Sequence, residues 1–137
     1  MFSSSFSALQ KFYGTRGIRH LTGLRNPVIY SRFRGARYGL KFLCKMGIHE
    51  KTKMLTCDAQ FPLLVPQHKL VVLSELILRT NVRLKSGRFD LNFAQGVISF
   101  HADSLLCSQE VVEETAGRLT ALAAMACDFC LLKKNCG

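Results

Sequence analysis

Tryptophan is absent from this 137-residue chain, proline occurs only three times, and no acidic residue appears before Glu50. Long apolar runs are missing too. The longest stretch free of Asp, Glu, Lys and Arg is Leu91–Ala102, and Asn92, Gln95 and His101 interrupt it. A helix needs about twenty apolar residues to cross a bilayer, so no membrane-spanning helix is encoded. There is no long repeat and no low-complexity tract. There is also no glycine-rich phosphate loop, because Gly14, Gly17 and Gly23 lack both a preceding strand and a following Gly-Lys-Ser/Thr. With 48% hydrophobic and 20% charged residues, the composition is that of one globular domain rather than a disordered chain.

Positive charge is in excess, and it is unevenly placed. The formal net charge is +10. Residues 1–49 carry Lys11, Arg16, Arg19, Arg25, Arg32, Arg34, Arg37, Lys41 and Lys45 with no carboxylate, whereas residues 50–137 are nearly neutral. A basic arm of residues 1–37 ahead of a domain spanning 38–137 has three readings: a targeting presequence, a nucleic-acid-binding tail, or a poorly structured extension. Phe2, Phe6, Leu9 and Tyr13 recur at helical spacing, and the Ser- and Arg-rich, acid-free stretch after them has the composition of an organellar transit peptide. On that reading the chain is mitochondrial or plastid in a eukaryote and cytoplasmic in a bacterium. Tyr13, Tyr30, Phe33 and Tyr38 interleave with arginines and could stack on bases, so Arg16, Arg19, Arg25, Arg32, Arg34 and Arg37 form a candidate phosphate-contacting arm.

Beyond Tyr38 the hydrophobic period alternates between two and about 3.6. Gly39–Met46 and Lys53–Phe61 read as a hairpin, with Phe42, Cys44 and Met46 on one face and Leu55, Cys57, Ala59 and Phe61 on one face; Pro62 and Pro66 should end it. Gln67–Thr80 reads as a helix started by Pro66 and stopped near Asn81. Val71, Val72 and Leu78 widen its apolar face enough to predict cover on more than one side. Arg88–Phe93 and Val97–His101 form a second hairpin, with Phe89, Leu91, Phe93, Ile98 and Phe100 inward. Ser108 is the expected N-cap of a long helix over Gln109–Lys134. The resulting class is α+β: an antiparallel sheet made of two hairpins, covered by two helices.

Reactive residue types are present without an obvious constellation. Cys127 and Cys130 have CxxC spacing, but they fall inside a predicted helix rather than at the strand-to-helix junction that activates a redox thiol. Structural zinc needs four ligands, usually as two pairs, and His49, His68 and His101 are scattered. The six cysteines read mainly as small core hydrophobes, with a redox or metal role for Cys127 and Cys130 as a lesser alternative. Cys44 and Cys57 could bond only if they face each other across the first hairpin. His101 followed by Asp103 resembles an oriented base but reads as a hydrated strand end. Ser74, Ser86, Ser99, Ser104 and Ser108 lack a nucleophile-elbow setting. No catalytic, cofactor or metal site is therefore assigned, and the chain is expected not to be an enzyme.

Phe61-Pro-Leu-Leu-Val-Pro66, Asn81, Leu84-Lys-Ser-Gly87-Arg-Phe89-Asp-Leu91, Gly96-Val-Ile-Ser-Phe100 and Asp128-Phe129 together resemble the YbjN family, bacterial proteins named as sensory transduction regulators. The resemblance spans roughly residues 38–134 and is most specific over 61–100. It implies a fold similar to the class I type III secretion chaperones, small α+β proteins that commonly dimerise and hold peptide segments, and it carries no catalytic residues. The family's domain opens with a helix and a strand before the first hairpin. Here the basic segment takes that place, so either the domain is shortened at its N-terminus or residues 1–37 hold a version of that helix. The function expected is a non-enzymatic interaction module, a small regulator or chaperone-like protein that binds another protein or peptide, with a homodimer as one form. The edge of the Leu40–Phe61 hairpin is its candidate surface. The alternative is an organellar RNA-associated protein using the arginine arm.

Overall fold

Alternation along the strands sorts the side chains onto two faces of one sheet, and the helices cover only one of them. The computed structural model describes residues 4–35, 39–108 and 111–127. In chain order these form α1 (Ser4–Thr15), β1 (His20–Thr22), β2 (Val28–Arg34), β3 (Lys41–His49), β4 (Met54–Leu64), a short 3-10 turn (Gln67–Lys69), α2 (Leu70–Arg83), β5 (Arg88–Asn92), β6 (Val97–Leu105) and α3 (Val112–Met125). The six strands make one antiparallel sheet in the order β1-β2-β3-β4-β6-β5. The class is α+β as expected, with six strands and three helices rather than four and two.

The main correction concerns the N-terminus. Residues 4–34 were expected as an arm outside the domain, yet they supply a helix and two strands of it. Phe6, Leu9, Phe12 and Tyr13 of α1 are buried in the same core as Ile29 of β2 and Val112, Ala116 and Leu119 of α3. The helix closes through Gly17, whose φ of +65° suits glycine. Ile18 N–H donates to Tyr13 O, and Gly17 N–H donates to Gly14 O. The apolar face that gives the segment its presequence look is the face it buries. A helix and two strands therefore precede the first hairpin expected from the sequence.

The covered face of the sheet is rich in phenylalanine. Phe33, Phe42, Phe61, Phe89 and Phe100 run across β2, β3, β4, β5 and β6 with successive ring centroids 5.2, 4.9, 6.2 and 5.1 Å apart. Pairs at these spacings add about 0.5–1.5 kcal/mol each beyond area burial. Gly87, at φ +80°, leads into β5 so close to this row that a Cβ would lie 2.3 Å from Phe100 Cζ.

Other sequence expectations shift by a few residues. Pro62 does not end β4, because the register slips between Gln60 and Leu64 and the strand continues through the irregularity. The second strand of the second hairpin, β6, extends to Leu105. Phe93 is 54% exposed rather than inward, since β5 stops at Asn92. Val71, Val72 and Leu78 of α2 are exposed, so that helix is covered on one side only. Asn81 lies inside α2. Ser108 is not the N-cap of α3, which begins after Val111. Lys133, Lys134, Glu110 and the Asp128-Phe129 step lie outside the described residues.

Because α1 is structural, Leu9→Ala is expected to lower unfolding free energy by about 2–5 kcal/mol in urea titrations, the usual cost of truncating a fully buried leucine. A chain lacking residues 1–37 is expected to lose its single cooperative transition.

Candidate interaction surfaces

The uncovered face of the sheet collects the charged side chains. One row across it pairs Tyr30 with Lys45, Lys45 with Asp58, Asp58 with His101 and His101 with Arg88; the next runs Arg32, Leu43, Gln60, Ser99, Asp90. Basic side chains dominate at the β2 end and carboxylates appear toward β6 and β5.

At the β2 end, Arg19, Arg32, Arg34 and Lys41 line an open groove of about 590 Å³ with Leu21, Tyr30 and Leu43. β1 pairs only with Ile29–Ser31 of β2, so the last residues of β2 have no neighbouring strand on that side among the described residues. Three of the six arginines singled out in the sequence converge here. Arg34 Nη1 donates to Gly39 O at 3.1 Å, which steadies one of them. Arg16 is elsewhere, stacked 4.2 Å from the Phe12 ring centroid, and its guanidinium donates to Phe12 O. Arg25 sits exposed between β1 and β2 and does not line the groove. Arg37 lies outside the described residues. Lys41 and Tyr30, absent from the arginine set, join it because β3 returns alongside β2.

A second groove, of about 440 Å³, lies between the end of β4 and α2. It is lined by Phe61, Leu63, Leu64, Val65, Pro66, Val72, Leu73, Leu76 and Ile98, with Lys69 as its single charged residue. Between the Gln60–Ser99 and Leu64–Val97 pairs, Phe61, Pro62 and Leu63 stand opposite Ile98 alone, and Val65 N–H donates to Gly96 O at 2.8 Å. Leu64 is 72% exposed and Val72 71%. The excess apolar width of α2 was the sequence signal for this groove, but it was read as burial. The edge of the β3–β4 hairpin, the surface expected from sequence, is not free: β3 is bordered by β2 and β4 by β6.

His101 is not a strand end. It sits in the middle of β6, where Nδ1 lies 2.6 Å from Asp58 Oδ1 and Nε2 lies 3.3 Å from Asp103 Oδ2. The ring is clamped on the open face, and both carboxylates remain partly solvated. No group of three or more His, Cys, Asp or Glu residues able to hold a metal occurs among the described residues. Cys127, two residues past the end of α3, is fully buried, while Cys130 and Cys136 fall outside the described residues. Cys44 and Cys57 do face each other, with sulfurs 3.6 Å apart. The hydrogen bond to Cys44, together with burial, pushes the Cys57 thiol well above its ordinary range. No helix among the described residues is long and apolar enough to cross a membrane.

The residues that carried the family resemblance form a local structural unit. Asn81 Nδ2 donates to Phe89 O at 3.0 Å, and Phe89 N–H donates to Asn81 Oδ1 at 2.8 Å, so one carboxamide acts as a surrogate strand for the outer strand β5. Gly87 packs against Phe100, the ring that neighbours Phe89.

No protein-family model matches the sequence, and no curated protein matches it. Among solved structures, the chain is similar to the crystal structure of YbjN from E. coli, a protein named as a candidate transcription regulator. The TM-score is 0.67 over 96% of this chain and 91% of that chain, at 11% sequence identity. The likeness extends through α1, β1 and β2, and at that identity it is a likeness of fold.

Asn81→Ala is expected to cost about 1–3 kcal/mol, the range for stranding buried backbone groups. Its specific signature is faster hydrogen exchange at the Phe89 amide, with little change at amides of β3.

Proposed function

We propose that this chain is a non-enzymatic protein-interaction module of the YbjN type, a small regulator or chaperone-like protein that holds an apolar segment of another protein in the groove between β4 and α2. The observation that carries this reading is the groove itself: Leu63, Leu64 and Val72 are exposed around a concave apolar surface, and such surfaces mark binding sites more often than solvated faces. Lys69 is the charged residue at its wall, so the segment that fits it best is apolar with an acidic flank. The YbjN-like fold supports a regulatory role by analogy alone.

A photocrosslinking residue in place of Val72 is expected to label one defined apolar segment, and the same residue at Lys51, in the β3–β4 turn, is not. Leu64→Asp is expected to weaken that labelling about tenfold or more, because an unpaired carboxylate is costly to bury, while leaving the urea midpoint close to that of the parent. Labelling of a second copy, with a dimer in light scattering, makes the occupant another molecule of this chain. Equal labelling at positions 72 and 51 would refute the reading.

A second reading, an RNA-associated protein, draws on the convergence of Arg19, Arg32, Arg34 and Lys41 beside Tyr30. Four cations contacting a single strand correspond to a slope of roughly −3 for log affinity against log salt, and Arg32→Ala with Arg34→Ala should bring it to roughly −1.5. Salt-independent binding to oligonucleotides, or none, removes this reading.

A further inference from the structure

We infer that Cys44 and Cys57 form a reversible oxidation site, a dithiol inside the core that hydrogen peroxide converts to a cross-strand disulfide. Cys44 on β3 stands opposite Ala59, and Cys57 on β4 stands opposite Met46, so the two cysteines are diagonal neighbours on the covered face. Their sulfurs are 3.6 Å apart and already share a hydrogen bond. A disulfide bond is about 2.05 Å long, so closure asks each sulfur to move by under about 1 Å.

The surroundings select the oxidant. Both cysteines are at most 1% exposed. Tyr13 of α1 and Cys127, just past the end of α3, lie near the pair in the covering layer. A bulky disulfide reagent has no path to the sulfurs in the closed fold, whereas hydrogen peroxide is little larger than water. The Tyr13 hydroxyl is buried and has no hydrogen-bond partner among the described residues. With the neighbouring Ser31, it offers a donor for an oxygen placed on sulfur there.

The chemistry balances with peroxide as the two-electron oxidant. Either thiol can donate the hydrogen bond that the pair shares, and with Cys57 as the donor the Cys44 sulfur is left as the nucleophile. That sulfur attacks one peroxide oxygen, the O–O bond breaks, and the departing hydroxide takes the Cys44 proton as water. The Cys57 sulfur then displaces the hydroxyl of the Cys44 sulfenic acid, and that hydroxyl takes the Cys57 proton as a second water. A dithiol reductant reverses the change. Diagonal cross-strand Cα atoms are as a rule about 7–8 Å apart, so closure also draws the two strands together, and a bond formed under that strain is readily reduced.

The test treats the full chain with hydrogen peroxide until the exposed Cys107 is oxidised, followed by peptide mapping without reduction. The expected product is a monomer in which the Cys44 and Cys57 peptides are linked, restored to thiols by dithiothreitol. In Cys57→Ala, Cys44 is expected to persist as a sulfenic acid that dimedone traps. Mapping of the parent chain stands by itself if that variant fails to fold. A link between Cys57 and Cys127, or Cys44 and Cys57 both remaining thiols while Cys107 is fully oxidised, overturns the inference.

Discussion

Burial of a single face of the sheet governs the rest of this molecule. A row of five phenylalanines crosses the covered side, α1 and α3 contact each other over it, and α2 is tied to β5 through Asn81. Each strand therefore has one set of alternate residues committed to the core and another left for solvent, and a slip of one residue would exchange them. The uncovered side then gathers the charges. The grooves form at margins of this arrangement, where β1 is too short to accompany β2 and where β4 leaves its regular pairing.

The strand interiors were legible in the sequence because their period was clean. Phe42, Cys44 and Met46, and likewise Leu55, Cys57, Ala59 and Phe61, lie on the buried face that alternation assigned them. In the N-terminal segment charge and composition mask the periodicity. Its helical spacing was visible in Phe6, Leu9 and Tyr13, but an acid-free arginine-rich run carries no sign of the sheet it joins. β1 has three residues, too few for any pattern to emerge.

The candidate surfaces were less legible, for a physical reason. They depend on distant parts of the chain being brought together by register. Arg19 meets Arg32 and Lys41 only after β1, β2 and β3 are aligned, and Asp58 meets His101 only because β6 returns beside β4. The exposed valines of α2 had a local signal with two meanings, since an apolar helix face looks the same whether another layer of the same chain covers it or a partner does. Asn81 and Gly87 stood out by resemblance, and their geometry explains why: both brace the outer strand rather than contact either groove.

The packing of α1 against α3 joins the first and last described elements, about a hundred residues apart in the chain. During synthesis the ribosome releases α1 long before its helical partner exists, so contacts of such sequence separation form late. Until then the apolar face of α1, a helix whose one charged residue is Lys11, lacks the layer that buries it. The same dozen residues are thus an unpartnered apolar face early and a piece of core afterwards, with completion of α3 as the event that separates the two.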